Sequence, residues 1–170
     1  MNKYLKTGYQ FGVLGGILSF LSFLVLSFIY QDPTNLNLVF GYLISPVAIY
    51  LAIKFFKDYT NNGYLSFAEG MTVGFATYFL IGLISALSIW FLLFVSPDLF
   101  EAIRESKWEV LEGNRETIVA QVGEESFRTT QKSLKTMSRW DVAFNDGLWK
   151  IIPGLFFSII ISIILRKNPN

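Results

Sequence analysis

The sequence predicts an all-α integral membrane protein: four transmembrane helices, with an extracytoplasmic amphipathic helical hairpin between helices three and four. Three observations predict it. Hydrophobic residues make up 52% of the chain and charged residues only 16%, and the mean hydropathy is +0.45. The apolar residues are gathered into four long blocks, each matched to a hydrocarbon core about 30 Å thick. The one charge-rich stretch, residues 96–146, has helical periodicity. The 170 residues then form a single membrane domain, with spans at about 8–30, 36–56, 67–95 and 147–165.

Gly8–Tyr30 carries no charge. It is longer than the apolar core of a signal peptide, and its end, SFIYQDPTN, lacks a small-residue cleavage site. It is expected to stay as an anchor. The short link QDPTN makes the first two spans a tight antiparallel hairpin. The second span runs on through Lys54 to Phe56. Asn62-Gly63 is a turn signal before the third.

The third span opens on Ser66-Phe67-Ala68-Glu69, an S-x-x-E capping box. Ser66 is the N-cap, and Glu69 reaches back to its backbone N–H. A negative charge there suits the positive end of the helix. Glu69 therefore reads as a helix cap rather than a working acid. Pro46 and Pro153 fall inside spans two and four. Each should kink its helix or free a carbonyl that a neighbour must satisfy. Trp90, Trp149, Tyr30 and Tyr59 sit near expected span ends, as interfacial aromatics do.

Gly8, Gly12 and Gly16 recur every fourth residue of the first helix; Gly70, Gly74 and Gly82, followed by Ala86, mark the third. Lipid supplies no hydrophobic drive between helices, so small residues that let backbones approach mark packing faces. Helices one and three should be central contacts.

Orientation follows from Lys and Arg. Lys3, Lys6, Lys54, Lys57, Arg166 and Lys167 all fall on one side of an even number of spans, which is taken as cytoplasmic. The 96–146 loop has seven more basic residues, few of them close to a span end.

Within that loop, Ser96-Pro97-Asp98 is a helix start. Leu99, Phe100, Ile103, Val110 and Leu111 share one face of residues 97–112, and Glu101, Glu105, Glu109 and Glu112 the opposite one. Residues 124–140 reverse the charge: Phe127, Leu134 and Met137 form an apolar stripe, and Arg128, Lys132, Lys135 and Arg139 a basic face. The two helices should join near Gly113 and Gly123. The bland reading is a hairpin that buries its apolar faces and solvates its charges. The sharper one sets the basic face against anionic lipid headgroups, or against the acidic face of another copy.

Chemistry is narrowly bounded. The chain has no Cys and no His, which excludes disulfides, thiolate nucleophiles, Cys/His metal sites and the commonest general base. The four glutamates lack the loop geometry of a calcium cage. No phosphate loop, nucleophile elbow, dinucleotide fingerprint or nucleic-acid motif is present, and no sequence repeat marks an inverted-repeat transporter. Asp146 precedes Lys150 by one helical turn, the spacing of an intramembrane ion pair. Near an interface the Lys150 stem can also snorkel. No catalytic residue, cofactor or metal site is expected.

KDYTNNGYLSFAEGMTVG between spans two and three, SPDLFEAI after span three and the closing ISIILRKN resemble the bacterial domain-of-unknown-function family 4199 over nearly the whole chain. The resemblance implies a small four-span protein of a bacterial inner membrane and carries no activity to transfer. It also implies a basic or polar residue where this chain has Glu69, which weighs against a fixed acid function there.

The function expected is that of a non-catalytic structural or complex-associated membrane protein in the bacterial inner membrane, with both termini cytoplasmic. Its partners would be the bilayer and itself or another membrane protein, not nucleic acid. The alternative is a small permease or channel subunit. A hydrated cavity joining polar residues of several helices would favour the alternative; a dry bundle would favour the first reading.

Overall fold

The computed structural model describes residues 2–168. Seven α-helices follow in order: α1 Lys3–Ser27, α2 Thr34–Phe55, α3 Phe67–Val95, α4 Pro97–Gly113, α5 Arg115–Val122, α6 Glu124–Lys135 and α7 Arg139–Leu165. One π-helical turn, Phe56–Thr60, extends α2. Four of these helices are long and apolar enough to cross a membrane: α1, α2 with its π-helical turn, α3 and α7.

The four pack as an up-down-up-down bundle with α3 at its centre, against α1 on one side and α7 on the other. Both ends of the described chain lie at one end of the bundle. There Leu65 and Lys167 exchange backbone hydrogen bonds of 2.8 and 2.9 Å, and Lys3 Nζ donates to Asn61 Oδ1. At the opposite end α4, α5 and α6 form a cap.

Local sequence sets the boundaries. Asn62 and Gly63 both take positive φ, and Gly63 at +81° turns the chain towards α3. The Ser66–Glu69 capping box starts α3: the Glu69 N–H donates to Ser66 Oγ (3.3 Å) and the Ser66 N–H to Glu69 Oε2 (2.9 Å). Gly123, at φ +84°, separates α5 from α6. A second capping box, Ser138 with Asp141, starts α7.

Three boundaries differ from the expectation. A short helix, α5, fills the joint between Gly113 and Gly123, so the loop holds three helices rather than two. The helix expected over 124–140 stops at Lys135. The backbone turns through Thr136 and Met137, and the Ser138 cap starts a new helix; Arg139 therefore belongs to α7 and not to a basic face of α6. The fourth long helix begins at Arg139 instead of near 147. Apolar content marks only the stretch that matches lipid; the cap signal lies earlier. Both Pro46 and Pro153 lie within continuous helices.

Two apolar clusters lie towards opposite ends of the bundle. Phe23, Ile89, Leu93, Phe100, Ile103, Val142 and Ala143 join α1, α3 and α7 to the cap. Ile49, Ala52, Ile53, Phe56, Leu65, Val73 and Tyr78 fill the end near the chain termini. Between them lies a polar layer.

Candidate functional site: a buried polar layer beneath a vestibule

Asp146 and Lys150 are one turn apart on α7, and both side chains are almost completely buried. Their depth follows from the early start of α7. At about 1.5 Å per residue, Asp146 lies roughly 10 Å and Lys150 roughly 16 Å below Arg139. The Lys150 ammonium does not snorkel outward; it is fully buried and paired inside the bundle. It is placed by α2, where Gly41 leaves room for its stem: a Cβ on Gly41 would sit 2.7 Å from Lys150 Cε.

The pair is held by hydrogen bonds from several helices. Lys150 Nζ donates to Asp146 Oδ2 and to Ser85 Oγ on α3 (3.0 Å). Ser85 Oγ donates to Asp146 Oδ2 (2.7 Å). Asn37 Nδ2 on α2 donates to Asp146 Oδ1 (2.7 Å). Ser22 Oγ on α1 donates to Asn37 Oδ1 (2.5 Å), and Ser19 Oγ lies 3.4 Å from Ser85 Oγ. Every long helix contributes to one network. Charges out of water are tolerated on these terms, with opposite charge adjacent and lone pairs used.

Sequence reasoning found the two charges but not Asn37, Ser85, Ser22 or Ser19. The available signal was weak: a single Asn at the start of an apolar block, and serines that also serve as small packing residues. Along α7, Asp146, Lys150, Gly154, Ser158 and Ser162 recur every fourth residue, all buried. This fourfold spacing is a signal in the sequence that could have marked the face beyond the Asp146–Lys150 pair.

Above the layer a cavity of about 440 Å³ opens between α2, the cap and the start of α7. Thr34, Lys107, Ser133, Asp141 and Asn145 line its wall, and Asp146 reaches its floor. Lys107 on α4 spans the mouth, donating to Asp32 Oδ2 (2.8 Å) and Thr34 Oγ1 (2.9 Å).

The remaining residues singled out by sequence have definite places. Glu69 accepts from Tyr4 Oη and from Asn61 Nδ2, both at 3.3 Å, besides capping α3; it joins α1 to the turn before α3. Gly12 and Gly16 face Leu80 and Ile84 of α3, whereas Gly70, Gly74 and Gly82 face Ser162, Ser158 and Ile151 of α7. The two glycine rows therefore serve different neighbours. In the cap, Arg128 pairs with Glu124 (3.2 Å), Lys135 lies over the Trp108 ring and Arg139 over Phe100. Lys132 is exposed. Two of these three partners, Trp108 and Phe100, lie on α4, and Arg139 itself lies on α7. Glu101 pairs with Arg104, and Glu112 accepts from Gln131. Among the described residues no three acidic side chains are grouped closely enough to hold a metal ion.

Four helices long and apolar enough to cross a membrane, packed around a shared polar layer with a helical cap at one end, define a small four-helix bundle. Residues 10–167 match the family model described as "Protein of unknown function (DUF4199)", and the chain belongs to that family. No curated protein and no solved structure matches it.

Proposed function

We propose that this chain is a non-catalytic multi-pass protein of a bacterial inner membrane, with both termini cytoplasmic, that acts as a structural or complex-associated component through helix packing and its cap. The observation that carries this reading is the dense hydrogen bonding of the polar layer. Asp146 accepts from Asn37, Ser85 and Lys150 at once, an arrangement suited to fixing the register of four helices rather than to attacking a substrate. The lipid-facing belt is in keeping with it: Leu14, Leu18, Leu43, Phe91, Phe156 and Ile163 are exposed large apolar residues on the four long helices.

The cap offers the surface for a partner. Arg128 and Lys132 point outward on α6 and carry little of the cap's own packing. Purification in mild detergent, with the mass of the complex measured for wild type and for Arg128→Glu/Lys132→Glu, tests the reading. A defined complex larger than the monomer that the double variant loses supports it. A strictly monomeric wild-type protein with an unchanged variant overturns it.

A second reading, a small permease or channel subunit, draws on one specific observation: the vestibule ends on an intramembrane carboxylate. Solute uptake into proteoliposomes would favour it.

A further inference from the structure

We propose that the vestibule is an aqueous half-channel that brings protons to the Asp146–Lys150 pair from the cap side alone, making Asp146 an intramembrane proton-binding site. The inference rests on the membrane reading of the four long helices and, because a hydrated cavity is what the permease or channel reading requires, it bears on that second reading rather than on the packing role of the pair.

The cavity has the size and lining for water. About 440 Å³ accommodates on the order of ten waters at ~30 Å³ each. Hydroxyls of Thr34, Ser133 and Thr136, the Asn145 amide and the Asp141 carboxylate supply partners. Its floor is Asp146, which is 3% exposed and whose carboxylate holds the Lys150 ammonium, while the Lys150 backbone lies one turn deeper. Beyond Lys150 the interior is close-packed and mainly apolar, with the Thr77 hydroxyl bonded to its own helix and the Ser158 and Ser162 hydroxyls buried without a partner. Ile49, Ala52, Ile53, Val73 and Tyr78 close it towards the chain termini, and Gly74 and Gly154 are filled by Ser158 and the Tyr78 ring. Access is therefore one-sided.

The groups that face Asp146 fix what its protonation does. From α2 come Asn37 and Thr34, from α3 Ser85, and from α7 Lys150 and the outer Asp141; the cap contributes Lys107, already held by Asp32 from the α1–α2 turn. Hydronium in the vestibule passes its proton to a carboxylate oxygen of Asp146, leaving water and a neutral carboxylic acid. The Lys150 ammonium then loses its counter-charge, and the acid offers an O–H where it offered only acceptors. The bonds from Ser85 and Lys150 to Oδ2 must rearrange. Proton binding is thus coupled to the contact of α7 with α2 and α3.

The chain has no cysteine, so single cysteines report access without background. Full-length protein carrying Leu38→Cys or Asn145→Cys on the vestibule wall, or Ser158→Cys beyond the apolar closure, is reconstituted in liposomes and treated with a membrane-impermeant thiol reagent from either side. Leu38→Cys and Asn145→Cys should label from the cap side only, and Ser158→Cys from neither. Labelling of Leu38→Cys no faster than Ser158→Cys, or equal labelling from both sides, overturns the half-channel. Infrared difference spectra across an acid step read the second half. A protonated-carboxyl band should appear in wild type, shift in Ser85→Ala and vanish in Asp146→Asn; a wild-type spectrum without it overturns the proton site. Release of the protein by an alkaline carbonate wash of membranes would instead refute the membrane reading, a separate failure.

Discussion

At the scale of single residues, the burial of charge has the largest energetic consequence. Lys150→Met fits the stem's path past Gly41 but leaves Asp146 buried without a counter-charge. Removing one member of a buried pair costs about 3–5 kcal/mol, so the unfolding midpoint in detergent should fall steeply. Asp146→Asn/Lys150→Met removes both charges, keeps an acceptor for Asn37 and offers Ser85 Oγ an N–H donor in place of the ammonium; its loss should be smaller than that of Lys150→Met. A single variant as stable as wild type would mean that the pair is solvated. Glu69 contrasts with this. Its work is hydrogen bonding at a half-buried helix end; a Gln oxygen still accepts from the Ser66 N–H, and its NH2 can donate to the Tyr4 hydroxyl instead of accepting from it. Glu69→Gln should lower stability by less than about 1 kcal/mol. A folded Glu69→Gln protein that had lost its cellular phenotype would make Glu69 a working acid after all.

At the scale of elements, the long helices were legible because lipid imposes both length and composition. The caps were legible because orphan N–H groups must be met locally: Ser66 and Glu69 announce α3 four residues from the turn at Gly63. What escaped is equally physical. The start of α7 lies in polar sequence, and Ser138–Asp141 carries the same cap logic without the apolar run that draws attention to it. The partners of Asp146 come from α2 and α3, far away in sequence, and no helical periodicity links them. Glycines show the same limit. Their spacing marks a packing face but not which neighbour occupies it. Position decides their cost. A Cβ on Gly82 would meet the Gly147 carbonyl oxygen at 2.8 Å, a backbone atom that no rotamer change can move, whereas a Cβ on Gly113 would meet nothing within 4 Å. Gly82→Ala should destabilise by about 1–3 kcal/mol, while Gly113→Ala should be neutral or stabilise by up to about 1 kcal/mol. Equal midpoints for the two in thermal unfolding would show that α3 and α7 can part without cost.

At the scale of the whole molecule, a bundle with both chain ends at one face leaves α4–α6 as the element able to cover the other. The cap has two kinds of attachment. Phe100 and Ile103 sink into the cluster formed by Phe23, Ile89, Leu93, Val142 and Ala143, which anchors α4 to the bundle over the helix ends. Lys107 grips Asp32 and Thr34 across the vestibule mouth, with both charged side chains only partly exposed, 27% and 12%. The first attachment is apolar and survives salt; the second is polar and borders water. Lys107→Ala therefore should leave the cap anchored by α4 but free the mouth on the α2 side. A pair of this exposure is worth on the order of 1 kcal/mol, so global stability should change little. Local opening should change more, because it is governed by the few contacts that close the mouth. Limited proteolysis within 113–123 and hydrogen exchange at the start of α2 should both accelerate, with the amides of α3 unchanged. Asp32→Asn, which keeps an acceptor for Lys107, should fall between wild type and Lys107→Ala. If exchange in α3 rose in step with that in α2, the cap and the bundle would open as one cooperative unit, and the mouth would have no motion of its own.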